Sequence, residues 1–226
     1  MAQACEVNSP DFEAAVSAYK SGEFSKAYDI FQQESARGKV EAKLWLANMS
    51  AAGEGTASSL ESAFHYYLEA AEAGSVEAQN NVGAMLSMGQ GVDADAEQAR
   101  TWLEKAAGQG DPFAQYNLAT ILWKAQELPD NLQSAAYWFE KAAASGHYPA
   151  QARLGYMYSK GIGVEKDRVK AFVWLSLAAQ HGVGSALAAL ETTTEAMSSD
   201  EKAAGATQLD AYRATSGTVV PSIKIP

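Results

Sequence analysis

The sequence is poor in the residues that most often carry covalent or metal chemistry: one cysteine and three histidines in 226 residues. A single thiol, Cys5, excludes an intramolecular disulfide and any multi-cysteine metal site. Packing alone must hold the fold. No run of about 18 apolar residues exists to cross a bilayer, so the chain is expected to be soluble rather than membrane-spanning. Basic residues are also scarce, 17 against 27 acidic ones, for a formal net charge of −10. A general binder of phosphate backbones needs clustered Lys and Arg, so nucleic acid is not expected as a partner.

The scarcity of positive charge is local. Between Lys43 and Arg100 there is no basic residue, whereas Glu54, Glu61, Glu69, Glu72, Glu77, Asp93, Asp95 and Glu97 fall inside that window. Residues 1 to 110 carry 16 acids and 7 bases, residues 111 to 182 carry 6 and 7, and the remainder carries 5 and 3. The N-terminal half is the acidic half. Such a face can steer a basic partner, although a merely solvated surface would have the same composition. At the start of the chain, Met1, Ala2, Gln3 and Ala4 read like the small-residue end of a secretory leader, but the charged and apolar regions of a leader are missing. An exported, periplasmic or secreted place and a cytoplasmic one both stay open.

What the sequence does have is a period. Gly38, Gly74, Gly110, Gly146 and Gly182 are each 36 residues apart, and so are Ala42, Ala78, Ala114, Ala150 and Ala186. Ala27, Ala63, Ala99, Ala135 and Ala171 make a third column, and Ile30, Tyr66, Trp102, Trp138 and Trp174 a fourth, expected to fill gaps between helices. The glycines follow apolar helical stretches and should end helices in left-handed backbone space. Ser59, Asp95, Asn131 and Asp167 should begin the second helix of each unit by accepting hydrogen bonds from free amides. Pro112 and Pro149 fall in first turns, where a missing amide costs nothing. Each unit is thus a pair of antiparallel helices, the first at about 40 to 51 and the second at about 59 to 73 in the first unit. A small-residue column, Ala47, Gly83, Ala119 and Gly155, allows close approach, and neighbouring pairs share one core.

Residues Ala150 to Tyr158, Gly161 to Val164, Lys170 to Leu175 and Ala178 to Gly182 together resemble the Sel-one-like repeat (SLR) family, a relative of the tetratricopeptide repeat. The resemblance implies an all-α, right-handed α-solenoid superhelix whose members act as adaptors for other proteins, often in bacterial envelope, secretion or signalling systems. It divides the chain into an N-terminal segment (1–10), a degenerate tetratricopeptide-like first pair (11–38), four units (39–74, 75–110, 111–146 and 147–182), capping helices (183–216) and an extended tail (217–226). The cap should run from Ser185 to Met197 and from Ser199 to Thr215, the last helix starting at Ser199 or Asp200 with Ala203, Ala206, Leu209 and Tyr212 on its apolar side. The third unit departs from the pattern: Ala125 to Asp130 replaces a Gly-x-Gly link, and its first helix is expected to run on to about Gln126 before Pro129 and Asn131 set up the next start.

Enzyme chemistry has little to stand on. Ser-x-x-Lys occurs at Ser17 to Lys20 and at Ser199 to Lys202 without the elements that accompany it in penicillin-binding enzymes. His65, His147 and His181 have no metal-ligand spacing, and read as ordinary surface or helix-end residues. No catalytic residue, cofactor site or metal site is expected. Subtracting the repeat leaves one anomaly, an aromatic stripe in the third unit. Phe113, Tyr116, Thr120 and Trp123 follow i, i+3, i+7, i+10 spacing beside core positions Ala114, Leu118, Ile121 and Leu122, and Tyr156 extends the stripe one unit later. In the tetratricopeptide relatives that face lines the inner groove. Phe113, Tyr116, Trp123 and Tyr156 are therefore the candidate partner-binding residues of a monomeric, non-enzymatic adaptor that takes a protein or peptide. Two alternatives stay beside it: packing of these aromatics against the altered 125–130 link, and a regulatory subunit whose own tail fills the groove.

Overall fold

The computed structural model describes residues 9–125 and 129–216, and every regular element among them is an α-helix. The chain forms two compact units, residues 1–109 and 110–226. The first holds α1 (Pro10–Lys20), α2 (Phe24–Ala36), α3 (Val40–Ala52), α4 (Leu60–Glu72), α5 (Val76–Met88) and α6 (Ala96–Gly108), each packed on the next. The second holds α7 (Pro112–Lys124), α8 (Pro129–Ala144), α9 (Tyr148–Lys160), α10 (Arg168–Gln180), α11 (Gly184–Glu195) and α12 (Ser199–Ser216). There α7 to α11 also pack in chain order, α12 lies on α10, and α11 touches α9. The N-terminal residues 1–8, which include Cys5, and the tail 217–226 lie outside the described residues.

Helix ends follow the side chains. Ser59, Asp95 and Asp167 accept amide hydrogen bonds from Ser62, Gln98 and Lys170 at the starts of α4, α6 and α10. A second capping column starts the other helix of the pair, with Ser75, Asp111 and His147 accepting from Ala78, Ala114 and Ala150. Helices α2, α4, α8 and α10 end with a glycine at positive φ followed by a return bond. Gly146 donates to the Ala143 carbonyl and His147 to that of Ala142, both at 3.0 Å. The α1–α2 pair is tied at its entrance: Ser9 caps α1 and donates at 2.6 Å to the buried Glu34, which also pairs with Arg37.

Packing follows the columns, with one change. The alanine columns at 27 and at 42 are fully buried along the chain, but Trp102, Trp138 and Trp174 are only half-buried. The buried gap-fillers are their neighbours: Phe31, Tyr67, Leu103, Phe139 and Leu175. A helix carries its neighbouring positions about 100° apart, so one step in sequence separates the core from its margin. Between repeats a further column contributes polar ties. The buried Gln79 and Gln151 donate from Nε2 to the carbonyls of Ala71 and Ala143, near the end of the preceding helix. Those carbonyls lie in the last turn, where intrahelical donors run out.

Three sequence expectations are corrected. Helix α7 ends at Lys124 with Ala125 as its C-cap, so it is no longer than its counterparts, and Gln126 lies outside the described residues. Asn131 does not start α8; the helix begins at Pro129, and the Asn131 side-chain amide donates instead to the Ala125 carbonyl at 2.8 Å. Helix α12 begins at Ser199, one of the two expected starts, with Ser198 just before it as the cap. Ser198 accepts from the Glu201 amide and Glu201 from that of Ser198, a reciprocal capping box. Its buried side carries Gly205, Leu209 and Tyr212 against Phe172, Val173 and Leu177, while Ala203 and Ala206 are exposed. Gly205 allows the contact, since a Cβ there would lie 2.7 Å from the Phe172 ring.

The glycines of the repeat do two different jobs. At Gly146 the backbone is left-handed but a Cβ would meet nothing within 4 Å, whereas at Gly163 a Cβ would lie 2.3 Å from the Leu132 carbonyl oxygen. The first glycine is there for conformation alone, the second also for clearance against the preceding helix pair. Gly146→Ala is therefore expected to cost about 1–2 kcal/mol of unfolding free energy, and Gly163→Ala about 3 kcal/mol or more because backbone must move. Urea unfolding of the two variants checks the order; equal costs would refute the clearance role.

A cationic and aromatic groove in the second unit

The open face of the second unit is built from α7, α9 and α11, the first helices of their pairs. Two hollows of about 410 and 360 Å³ meet there and share Tyr156 and Ala189. The space exists because small side chains occupy the middle of the face: Ala152 on α9, and Ala188 and Ala189 on α11. In the column of Ala152 and Ala188 the α7 residue is Tyr116, which forms one wall of the larger hollow.

The four aromatics expected to bind a partner fall into two positions. Tyr116 and Tyr156 line the groove, and Tyr156 is 37% exposed. Trp123 and Phe113 reach it through intermediaries. The Arg153 guanidinium, itself a lining group, sits 5.5 Å from the centre of the half-buried Trp123 ring. Phe113, 59% exposed, meets the His147 ring edge-on at 5.2 Å, and the other side of that imidazole lies 4.6 Å from Tyr116. Tyr116 is backed by the buried Phe139 at 5.7 Å. A half-buried ring with such a backing is rigid, which lowers the entropy lost when something packs on it.

Charge is where the sequence was least informative. The groove is lined by Arg153, Lys160, Lys166 and Arg168, and no acidic side chain is among its described lining residues. Arg168 is partly satisfied by Glu201 of α12 at 3.4 Å, while no carboxylate pairs with Arg153, Lys160 or Lys166 among the described residues. The near-neutral total for residues 111 to 182 hid this clustering. Subtraction of the repeat could have found one member: Arg153 stands where the other units have Trp45, Asn81, Asn117 and Ala189.

The histidines are separate. His65 is on the surface beside Glu69, and His181 stacks on Tyr148 at 3.6 Å. No group of three or more potential metal-ligating side chains occurs among the described residues, and no described helix is long and apolar enough to cross a membrane. Three hydroxyls of the groove are committed to backbone: Ser159 donates to the Tyr156 carbonyl at 2.8 Å, Thr192 to that of Ala188 at 3.0 Å and Thr193 to that of Ala189 at 2.7 Å.

Successive antiparallel helix pairs with capping columns 36 residues apart define an all-α helical-repeat protein. The chain belongs to the Sel1 repeat family, which matches residues 40–75, 76–111, 112–147 and 149–183. Among solved structures it is similar to a Sel1 repeat protein from Oxalobacter formigenes, at 38% identity over 75% of this chain and 49% of that one, with a TM-score of 0.67. It is also similar to c5321, a protective antigen of uropathogenic Escherichia coli strains with an SLR fold, at 25% identity over 96% of this chain and 49% of that one, TM-score 0.79. The chain thus spans about half the length of these two. A likeness in fold alone extends to the immunity protein Pa5087 of Pseudomonas aeruginosa, at 22% identity over 80% of this chain and 70% of that one, TM-score 0.51. No curated protein matches the chain. Sel1-repeat proteins are generally scaffolds for protein–protein interaction and typically non-enzymatic.

His147 offers a test of how the groove wall is held. Its Nδ1 accepts the Ala150 amide at 3.2 Å, which requires that nitrogen to be unprotonated, and burial lowers its pKa to about 4. The ordinary histidine value is 6.5. The unfolded chain therefore binds the extra proton first as pH falls. Stability from this group is fully present above about 6.5, declines between 6.5 and 4, and levels off below. The decline should amount to about 2 kcal/mol, allowing for the solvated part of the ring. His147→Asn keeps a capping side chain without the titration. Urea midpoints between pH 7 and 4.5 should fall less steeply in that variant than in wild type; parallel curves would refute the capping role.

Proposed function

We propose that the chain is a non-enzymatic adaptor that holds a protein or peptide segment in the groove of its second unit. Tyr116 and Tyr156 serve as direct anchors, Trp123 completes the anchor set by holding Arg153, and Phe113 flanks them. The observation that carries this reading is Tyr156. It stands where both hollows meet, more than a third of it is exposed, and no aromatic ring stacks on it among the described residues. A tyrosine placed centrally in a concave surface, with rigid rings beside it, supplies the kind of contact that dominates interfaces. The non-enzymatic part of the reading is supported by Ser159, Thr192 and Thr193, whose hydroxyls donate to carbonyls of their own helices rather than to a base. On this reading the protein acts as a monomer and its partner is protein, not nucleic acid.

Affinity capture from an extract of the native cell, with wild type and with the Trp123→Ala and Tyr156→Ala variants, tests it. Each substitution should reduce partner capture by about tenfold or more, in line with truncation of an interface anchor. The melting temperature should move by only a few degrees, since neither ring is in the buried core. Undiminished capture, or a collapse of stability that accounts for its loss, would overturn the groove reading.

A further inference from the structure

The groove carries a chemical preference as well as a shape. Its described lining holds four cations and no carboxylate, in a chain whose formal net charge is −10. Three of the cations, Arg153, Lys160 and Lys166, are without a carboxylate partner among the described residues. Arg153, Tyr156 and Lys160 follow i, i+3, i+7 spacing on α9, so the exposed ring is flanked along one face by a positive charge on each side. The two charged residues are about 10 Å apart along the helix axis.

We propose that the occupant of this groove is an acidic peptide segment: an apolar side chain seated on Tyr156 and Tyr116, with carboxylates about 10 Å apart reaching Arg153 and Lys160. A polyproline-type segment places residues i and i+3 on one face at about that spacing. The inference rests on the adaptor reading and adds the chemistry of the partner. Charge complementarity carries it. Arg153 is suited to the role because its position over Trp123 limits its rotamers before the ligand arrives. A carboxylate entering the groove meets unpaired cations and displaces no acidic side chain of its described lining, so binding is not opposed by like charge.

Selection of a random dodecapeptide display library on the full chain, followed by titration of the winning peptide as a dye-labelled synthetic, tests the assignment. The selected sequences should place Asp or Glu on both sides of an apolar residue. Affinity should fall about tenfold or more on going from about 50 to about 300 mM salt. The Arg153→Gln and Lys160→Gln variants should each weaken binding by about fivefold, and the Arg153→Glu/Lys160→Glu double variant should lose it while retaining wild-type circular dichroism and melting. Gln variants that bind as wild type would overturn the proposal. Neutral or basic winners, or no winners at all, would do the same. So would competition by oligothymidylate, which assigns the cations to a nucleic acid, or concentration-dependent self-association abolished by the double variant, which assigns the groove to a second copy. A neutral apolar consensus that still depends on Tyr156 overturns the charge assignment alone; binding indifferent to both Tyr156 and Trp123 overturns the adaptor reading too.

Discussion

The repeat depends on how closely its two helices approach. In α5 and α9 the limiting position is a glycine, and the second helix of the pair drives a leucine into it. A Cβ on Gly83 would lie 2.5 Å from the Leu103 side chain, and one on Gly155 would lie 2.7 Å from that of Leu175. The other two units use alanine at the same position, Ala47 and Ala119, and there the residue in the leucine column is aromatic, Tyr67 and Phe139. A branched leucine points its bulk at the opposing backbone, while a flat ring can lie beside a methyl group. Either combination fills the space to interior density with one member small, and neither leaves room for two large residues.

This constraint decides where variation is free. A first helix with one face pressed on its partner, and its flanks on the neighbouring pairs, has only one remaining strip that the fold does not specify. On α7, α9 and α11 that strip carries Tyr116, Tyr156, Arg153, Lys160 and a set of alanines, whereas the buried columns beside it barely change. The same physics explains why the groove has shape without being a cavity. Its floor is made of Ala152, Ala188 and Ala189, and of its walls Tyr116 and Arg153 rest against neighbouring rings. Rigidity comes from the repeat, and the residues the repeat leaves over are the ones free to differ between units.

Much of the fold was legible because the repeat copies its structural solutions in register. A glycine that ends one helix ends four others, and a serine or aspartate that starts α4 reappears at α6 and α10. What escaped was whatever the columns do not spell with one letter. The buried Phe31, Tyr67, Leu103, Phe139 and Leu175 share a role but no single identity, whereas the tryptophans beside three of them spell a visible column at the margin of the core. Gln79, Gln115 and Gln151 repeat in three of the four units, with Lys43 in the first, and were readable, but a polar residue at fixed spacing does not announce that it is buried. Around residue 130 the column rule failed outright, because α8 begins at Pro129 and Asn131 spends its side-chain amide on the Ala125 carbonyl. In the candidate site, the aromatics were found as departures from their columns. The cations were not, because summing charge over 111 to 182 removes the spatial information that matters.

That last point bears on how an acidic chain can offer a positive groove. At physiological salt the Debye length is about 8 Å, so a carboxylate farther away than that contributes little to the potential felt by a ligand in contact with Arg153 or Lys160. Within contact range the balance is set by the lining, which is cationic, and not by the formal net charge of −10. The effective dielectric beside Tyr116, Tyr156 and the alanine floor is below that of water, which strengthens each close pair formed there. The acidic surplus and the cationic groove therefore act on different length scales. The first acts over the whole surface and fades with salt; the second sets the potential at contact with the lining.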